Sequence, residues 1–325
     1  MKRPAIRSLL AISLLCLALS TGSAFGALLD LVPIEAQFVM QINMPKVVGL
    51  DIIQKLFDQF GANTEESQKA MQDFVQKTGL DPKKSLKTVV VFLTALTDQE
   101  TGHPMPGLLF HGDFDTGRII ELVKADPDMA AQVSLEKVGG FDALKGKAVE
   151  TGLSVFLDKN TILLGTPAIV DHVIKIKTGK DKGIMTNAAF AKVVKQASPE
   201  AALWGGVVVS PQWVKEAQTD PVSANFAAVK AVLFSLAYDK QFAFELAGEV
   251  EKKDDTAKVK DALKNVMDAM AAWSQDVPAI SQAFKAAKIE GGETTAKLTL
   301  AMDKAAFEDM IKKVQAQTAP AAPKK

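Results

Sequence analysis

The chain has 325 residues, 48% of them hydrophobic, and its 38 basic and 38 acidic residues give a formal net charge of zero. A near-neutral surface offers no electrostatic reason to expect nucleic acid or anionic lipid as a partner. About 300 residues are enough for one large domain or for two domains of about 150 residues each.

The first 26 residues have the pattern of a secretory signal peptide. Basic residues precede the apolar run Leu9–Leu19, and the small residues Ala24 and Gly26 follow it. Signal peptidase recognises such small residues. We therefore predict cleavage before Ala27, a periplasmic or secreted location, and no membrane span in the mature chain. The alternative is that the apolar run is kept as a membrane anchor.

The polar and sulfur residues of the mature chain narrow its chemistry. The only cysteine, Cys16, lies in the leader, so the mature chain would contain no disulfide, thiolate metal ligand or cysteine nucleophile. Arg118 is the only arginine after residue 26, and 35 basic and 38 acidic residues remain there. Because phosphate sites usually use guanidinium groups, this composition argues against nucleotide, phosphosugar and DNA ligands.

The same order of predicted elements occurs twice after the leader. Segments 33–45 and 199–211 each contain a proline, an extended apolar run and a second proline that can open a helix. Each is followed by two strands, a helix, a strand and a helix. This order predicts an α+β fold of two similar modules, residues 27–184 and 185–315, each a mainly antiparallel sheet with helices on one face. The Ala/Pro/Lys-rich tail, 316–325, is predicted to be disordered.

The individual elements rest on alternating or helical apolar patterns. The predicted strands are Leu86–Leu93, Gly107–Phe114, Ser154–Leu157, Thr161–Gly165, Val229–Leu236, Phe242–Val250 and Thr295–Met302. The predicted helices are Val47–Phe60, Met71–Val75, Thr116–Ala125 and Thr256–Trp273, and two more begin near Ala168 and Lys304. The glycine pairs Gly139-Gly140, Gly205-Gly206 and Gly291-Gly292 lack the context of a phosphate-binding loop and are predicted to form bulges or turns.

Three segments, Thr78–Phe92, Gly107–Phe114 and Leu163–Pro167, together resemble a group of bacterial exported proteins of unknown function. These proteins are built on a duplicated strand-helix module, and the likeness spans most of the mature chain. The resemblance implies a two-module fold and an exported location. It implies no catalytic residues.

Histidine is the usual general base and metal ligand, and the chain has His103, His111 and His172. No two of them are spaced to share one face of a helix or strand. We predict that His103 lies in a solvated loop and that His172 lies on the surface of an amphipathic helix.

The most chemically suggestive segment is 111–115. In a continuous strand, His111, Asp113 and Asp115 would share one side and could bind a divalent cation or orient the imidazole. The alternative, which we favour, is that Asp115 caps the helix beginning at Thr116 and Asp113 is a polar residue at the strand end. No catalytic, cofactor-binding or metal-binding residue is therefore assigned.

Other candidates for chemistry have structural interpretations. The sequence contains no Gly-x-Ser-x-Gly motif, and Ser210 is predicted to cap a helix. Trp204, Trp213 and Trp273 all lie in apolar patterns and are predicted to be core residues rather than a carbohydrate platform.

These observations favour an exported, non-enzymatic binding or interaction protein of the bacterial periplasm or cell envelope. We expect no cofactor, an unidentified protein or a small apolar ligand as partner, and a ligand cleft between the modules. One alternative is an exported hydrolase that uses carboxylates or the cluster of His111, Asp113 and Asp115. A second alternative is a carrier that holds an apolar ligand in a cavity lined by methionine and phenylalanine.

Overall fold

A computed structural model describes residues 27–48, 69, 72, 75–76, 81–97, 104–146, 152–218, 223–238 and 241–310. The leader 1–26, most of the helices predicted between residues 47 and 75, His103 and the tail 316–325 lie outside these residues. Within them, the chain forms helices and one large sheet in which every strand pairing is antiparallel. The predicted α+β class with an antiparallel sheet is therefore confirmed.

Twelve strands form the described sheet. They are β1 (Ala36–Asn43), β2 (Leu86–Thr97), β3 (Pro104–Gly112), β4 (Val133–Val138), β5 (Phe141–Gly146), β6 (Leu153–Asp158), β7 (Thr161–Gly165), β8 (Leu203–Val208), β9 (Val229–Tyr238), β10 (Gln241–Val250), β11 (Lys288–Gly291) and β12 (Thr295–Asp303). The helices are α1 (Met44–Val48), α2 (Pro82–Ser85), α3 (Thr116–Ala125), α4 (Pro127–Gln132), α5 (Pro167–Lys177), α6 (Ala188–Val194), α7 (Pro211–Ala217), α8 (Lys253–Trp273), α9 (Pro278–Lys285) and α10 (304–310). No helix among the described residues combines the length and apolar character needed to cross a bilayer.

The sheet runs without interruption through both halves of the chain. Its strand order is β11-β12-β10-β9-β8-β1-β2-β3-β7-β6-β5-β4. The first strands of the two halves, β1 and β8, pair directly, with Phe38 opposite Val207 and Ile42 opposite Leu203. From this pair outward the order is β1-β2-β3-β7-β6 in one direction and β8-β9-β10-β12-β11 in the other. The two halves thus share one sheet.

Helices cover both faces of this sheet. The first face carries Val39, Phe92 and Leu163, which form one buried core with α5 and α6. Successive strand residues point to opposite faces, so the second face carries Leu298 and Leu300, which lie in the cores formed with α8 and α9. The expectation of helices on one face does not describe the combined sheet. The large apolar residues of β12, Leu298, Leu300 and Met302, lie on its second face, whereas polar residues such as Lys297 lie on the first. Helices α8 and α9 therefore pack opposite α5 and α6.

Gly205 and Gly206 lie inside β8 rather than in a bulge or turn. A Cβ atom on Gly205 would overlap the ring of Phe234, and a Cβ atom on Gly206 would overlap the ring of Phe190. These rings approach β8 from opposite faces of the sheet. The glycine pair therefore provides room for one aromatic ring on each face, and the prediction for this pair was wrong.

The hairpin of β4 and β5 was not predicted. Its turn is Gly139-Gly140, where both residues have positive φ, 58° and 91°, a conformation that glycine adopts without strain. The predicted turn at this glycine pair is thus confirmed, and it connects two strands at the edge of the sheet.

The three tryptophans differ in burial. Trp204 is 1% exposed and belongs to the core, as predicted. Trp213 is 46% exposed and Trp273 is 37% exposed, so the prediction of a core position was wrong for both. Trp213 lies on the short helix α7, and Trp273 is the last residue of α8.

Candidate functional site

A cavity of about 290 Å³ lies beside the ends of β3, β6 and β7. The N-terminal segment, the end of β3, the turn between β6 and β7 and the last turn of α5 supply its walls. The described residues that line it are Ala27, Leu28, Leu31, His111, Asp158, Lys159, Asn160, Thr161 and Lys177. This size is at the lower end for small-molecule sites. All of these residues belong to the predicted first module, so the cavity does not lie between the modules as expected.

His111 is the one predicted candidate that lines this cavity. It lies directly opposite Thr161 in the pairing of β3 with β7. Its Nδ1 atom is 3.2 Å from the hydroxyl oxygen of Thr161, which is buried. The register of the sheet therefore fixes the imidazole at the cavity wall. The lining residues described include leucines but no methionine or phenylalanine, in contrast to the predicted carrier cavity.

Asp113 and Asp115 do not join His111. Strand β3 ends at Gly112, and the N–H of Asp113 donates to the carbonyl of Ser85, so the two-residue alternation stops before Asp113. Asp113, with its side chain 75% exposed, forms an ion pair with Lys87 at 3.0 Å. Among the residues that the structure describes, no group of three or more metal-ligating side chains is arranged to hold a metal ion.

Asp115 is the N-cap of α3. Its Oδ1 atom accepts hydrogen bonds from the backbone N–H groups of Gly117, at 2.9 Å, and Arg118, at 3.4 Å. This confirms the predicted capping role. Ser210 has the same role in α7, because its hydroxyl oxygen accepts from the N–H of Trp213 at 3.2 Å.

Replacing Asp115 with alanine is expected to lower the free energy of unfolding by about 1 kcal/mol, since the first turn of α3 loses its cap. Asp113→Ala is the matched control, because it removes only an exposed ion pair and should cost no more than about 0.5 kcal/mol. Urea unfolding measures both values. Equal losses in the two variants would contradict the capping role.

Asp158 anchors the turn between β6 and β7. Its Oδ1 atom accepts from the N–H of Asn160 at 3.0 Å, and its Oδ2 atom accepts from the ammonium of Lys177 at 3.1 Å. Burial raises the pKa of Asp158, but the hydrogen bonds from Asn160, Thr161 and Lys177, with the positive charge of Lys177, outweigh burial and hold that pKa below its ordinary value. The carboxylate is therefore ionised at neutral pH, and its hydrogen bonds stabilise the turn.

This lowered pKa predicts a specific pH dependence. The ionised Asp158 stabilises the fold above the ordinary carboxyl pKa of 3.8. That contribution is lost as the pH falls through the lower pKa of the folded state, since protonation removes the hydrogen bonds and the ion pair. The stability difference between the wild type and Asp158→Asn should be constant above about pH 5 and shrink below about pH 4. A difference that grows on acidification would contradict this assignment, and chemical unfolding at several pH values measures it.

His172 lies outside the cavity. Its Nε2 atom is 3.0 Å from Asp181 Oδ2 and 3.9 Å from Glu35 Oε2, so it links α5 to the loop that follows it and to the start of β1. The side chain is 20% exposed, which makes it a half-buried residue rather than the surface residue predicted.

The sequence identified His111 but not its neighbours in the cavity. The strands on either side of the turn that contains Asp158 were predicted, yet Thr161 is 50 residues from His111 and Lys177 is 19 residues from Asp158. Only the pairing of β3 with β7, and the packing of α5 against them, brings these side chains together. The apolar pattern of Leu28, Leu29 and Leu31 beyond the leader was the available signal for the remaining wall.

No known protein family, curated protein or solved structure matches this chain. The resemblance to exported bacterial proteins stays a prediction, and the cavity itself carries the functional argument.

Proposed function

We propose that the protein is an exported, non-enzymatic binding protein of the bacterial periplasm or cell envelope, and that the cavity beside His111 holds its ligand. The observation that carries this proposal is the composition of the cavity wall. Leu28 and Leu31 provide apolar groups, while His111, Lys159 and Thr161 provide polar groups. An apolar enclosure with a few polar groups is typical of sites that bind small molecules.

The contacts of the ionisable groups favour binding over catalysis. A general acid at neutral pH needs a carboxyl group with a raised pKa, whereas the pKa of Asp158 is lowered. His111 is within hydrogen-bonding distance of the hydroxyl of Thr161 rather than of a carboxylate that could orient it as a base. Asp113 and Asp115, the carboxylates of the hydrolase alternative, make other contacts.

The leader and the repeated order of elements extend the proposal. Ala27, the first residue after the predicted cleavage site, lines the cavity. On our proposal, removal of the leader places a new α-ammonium group at the cavity rim. We also propose that the chain is a duplicated pair of strand-helix modules fused into one sheet. The matching strand orders on the two sides of the β1–β8 pair support this duplication.

A blocking variant tests the proposed site. The protein is recovered from an export-competent host and tested by ligand-observed NMR against a library of small apolar and amphiphilic compounds. We expect this experiment to detect compounds that bind. His111→Trp, which fills the cavity, should abolish their binding. Asp113→Trp, which adds the same ring at an exposed neighbouring position, should retain it. Binding that survives His111→Trp would place the site elsewhere.

An enzyme panel tests the alternative. Ester, peptide and glycoside substrates are expected to show no turnover above that of buffer. Turnover that is lost in His111→Ala and kept in Asp113→Ala would contradict the proposal and favour an exported hydrolase.

A further inference from the structure

We infer that the ligand of the His111 cavity is a carboxylate that carries an apolar chain of medium length. This inference rests on the proposed function, since it names the chemical class bound at the same site. Three observations support it: the charged groups of the cavity that are already paired, the charged group that is not, and the apolar residues that line the same cavity.

The only carboxylate among the described lining residues is already used. Both oxygens of Asp158 accept hydrogen bonds, one from Asn160 and one from Lys177. The amide nitrogen of Asn160 is also used, because it donates to the carbonyls of Gly112, at 2.9 Å, and Phe114, at 3.3 Å. The negative charge of Asp158 is therefore already balanced by Lys177, which leaves no unpaired carboxylate for a cationic ligand.

The charge that remains in the cavity is positive. Lys177 and Asp158 neutralise each other, whereas the ammonium of Lys159 has neither a hydrogen-bond nor an ion-pair partner within the described part of the chain. The second ring nitrogen of His111 also has no hydrogen bond to those residues. An ammonium only donates hydrogen bonds, so the group it pairs with must accept them. On the proposed function, the α-ammonium of Ala27 adds a second positive charge at the rim. The described lining residues include no arginine, and phosphate sites usually use guanidinium groups, so this positive end matches a carboxylate better than a phosphate.

Two leucines line the same cavity as this charge. Leu28 is 4% exposed and Leu31 is 9% exposed, and both belong to the core that continues beneath the sheet face. The small exposed part of each side chain is what an apolar chain in the cavity would cover. A cavity of about 290 Å³ is small for a ligand site and therefore favours a chain of medium length, and chains of roughly eight carbons are the appropriate probes.

The test compares four probes of one chain length by calorimetry: octanoate, octylammonium, octanol and octyl phosphate. Octanoate is expected to bind tightest, at one molecule per chain. Butanoate should bind at least about tenfold more weakly, since four buried methylene groups are lost.

Lys159→Met should weaken octanoate binding about fivefold, the effect of one partly exposed ion pair, and leave octanol binding unchanged. Lys195→Met, which removes an exposed ammonium elsewhere on the chain, is the control and should change neither. Equal losses for octanoate and octanol would contradict the role of Lys159.

The outcomes separate the ligand class from the site. Tighter binding of octylammonium, octanol or octyl phosphate that His111→Trp abolishes would overturn the carboxylate inference and leave the proposed function standing. If none of the four probes binds and the compound library also gives no binder, both the inference and the proposed function fail.

Discussion

Replacing Phe190 with alanine is expected to lower the free energy of unfolding by about 3–5 kcal/mol, the usual cost of removing a fully buried phenylalanine side chain. Phe190 is 0% exposed, and its ring lies over Gly206 in β8. The helix that carries it, α6, contacts β8, β9 and β10. The variant would leave a cavity in the core beneath the first face of the sheet. Urea unfolding monitored by circular dichroism measures the loss.

Trp213→Ala is the matched control for this variant. It also removes a large aromatic ring, but Trp213 is 46% exposed, and its loss should cost no more than about 1 kcal/mol. If Phe190→Ala lowered the free energy of unfolding no more than Trp213→Ala does, the described packing of α6 on the sheet would be contradicted.

The second large effect is expected at the ion pair between Lys192 and Glu249. The ammonium of Lys192 is 2.8 Å from Glu249 Oε1, and the hydroxyl of Thr295 donates to Glu249 Oε2 at 3.0 Å. The side chain of Glu249 is 5% exposed, so Lys192→Met would leave a buried carboxylate with the hydroxyl as its remaining side-chain partner. We expect the free energy of unfolding to fall by about 2–3 kcal/mol. This is less than the cost of breaking a fully buried ion pair, because Lys192 itself is 60% exposed.

A double variant distinguishes this electrostatic cost from lost packing. Lys192→Met combined with Glu249→Gln removes the uncompensated charge and should be more stable than Lys192→Met alone. Lys195→Met, on an exposed lysine just after the same helix, should change stability by less than about 0.5 kcal/mol. A double variant that is less stable than either single variant would contradict the assigned ion pair.

Elements with strong local patterns were predicted well from the sequence. The helix Thr116–Ala125 and the strand Thr161–Gly165 have the predicted bounds, because each combines an apolar periodicity with clear end signals. The hairpin of β4 and β5 was missed because its strands mix charged and apolar residues and most of their side chains are only partly buried. Their only clear signal was the glycine pair in the turn.

The site depended on contacts that no local pattern encodes. Asp115 was predicted as a cap because capping uses residues close in sequence, and the structure confirms it. The contact of His111 with Thr161 requires the pairing of β3 with β7, and the pairing of Asp158 with Lys177 requires α5 to pack against those strands. The join between β1 and β8 is likewise a long-range contact, which the repeated order of elements alone did not predict.

The most direct test of the central claim, that the His111 cavity is the ligand site, is a titration of leucine-methyl-labelled protein with octanoate followed by NMR. Saturable shifts are expected at the methyl groups of Leu28 and Leu31, which line the cavity. Leu298 and Leu300, on the second face of the sheet, should not shift. Shifts confined to the second face, or no saturable shift at Leu28 and Leu31, would contradict the claim.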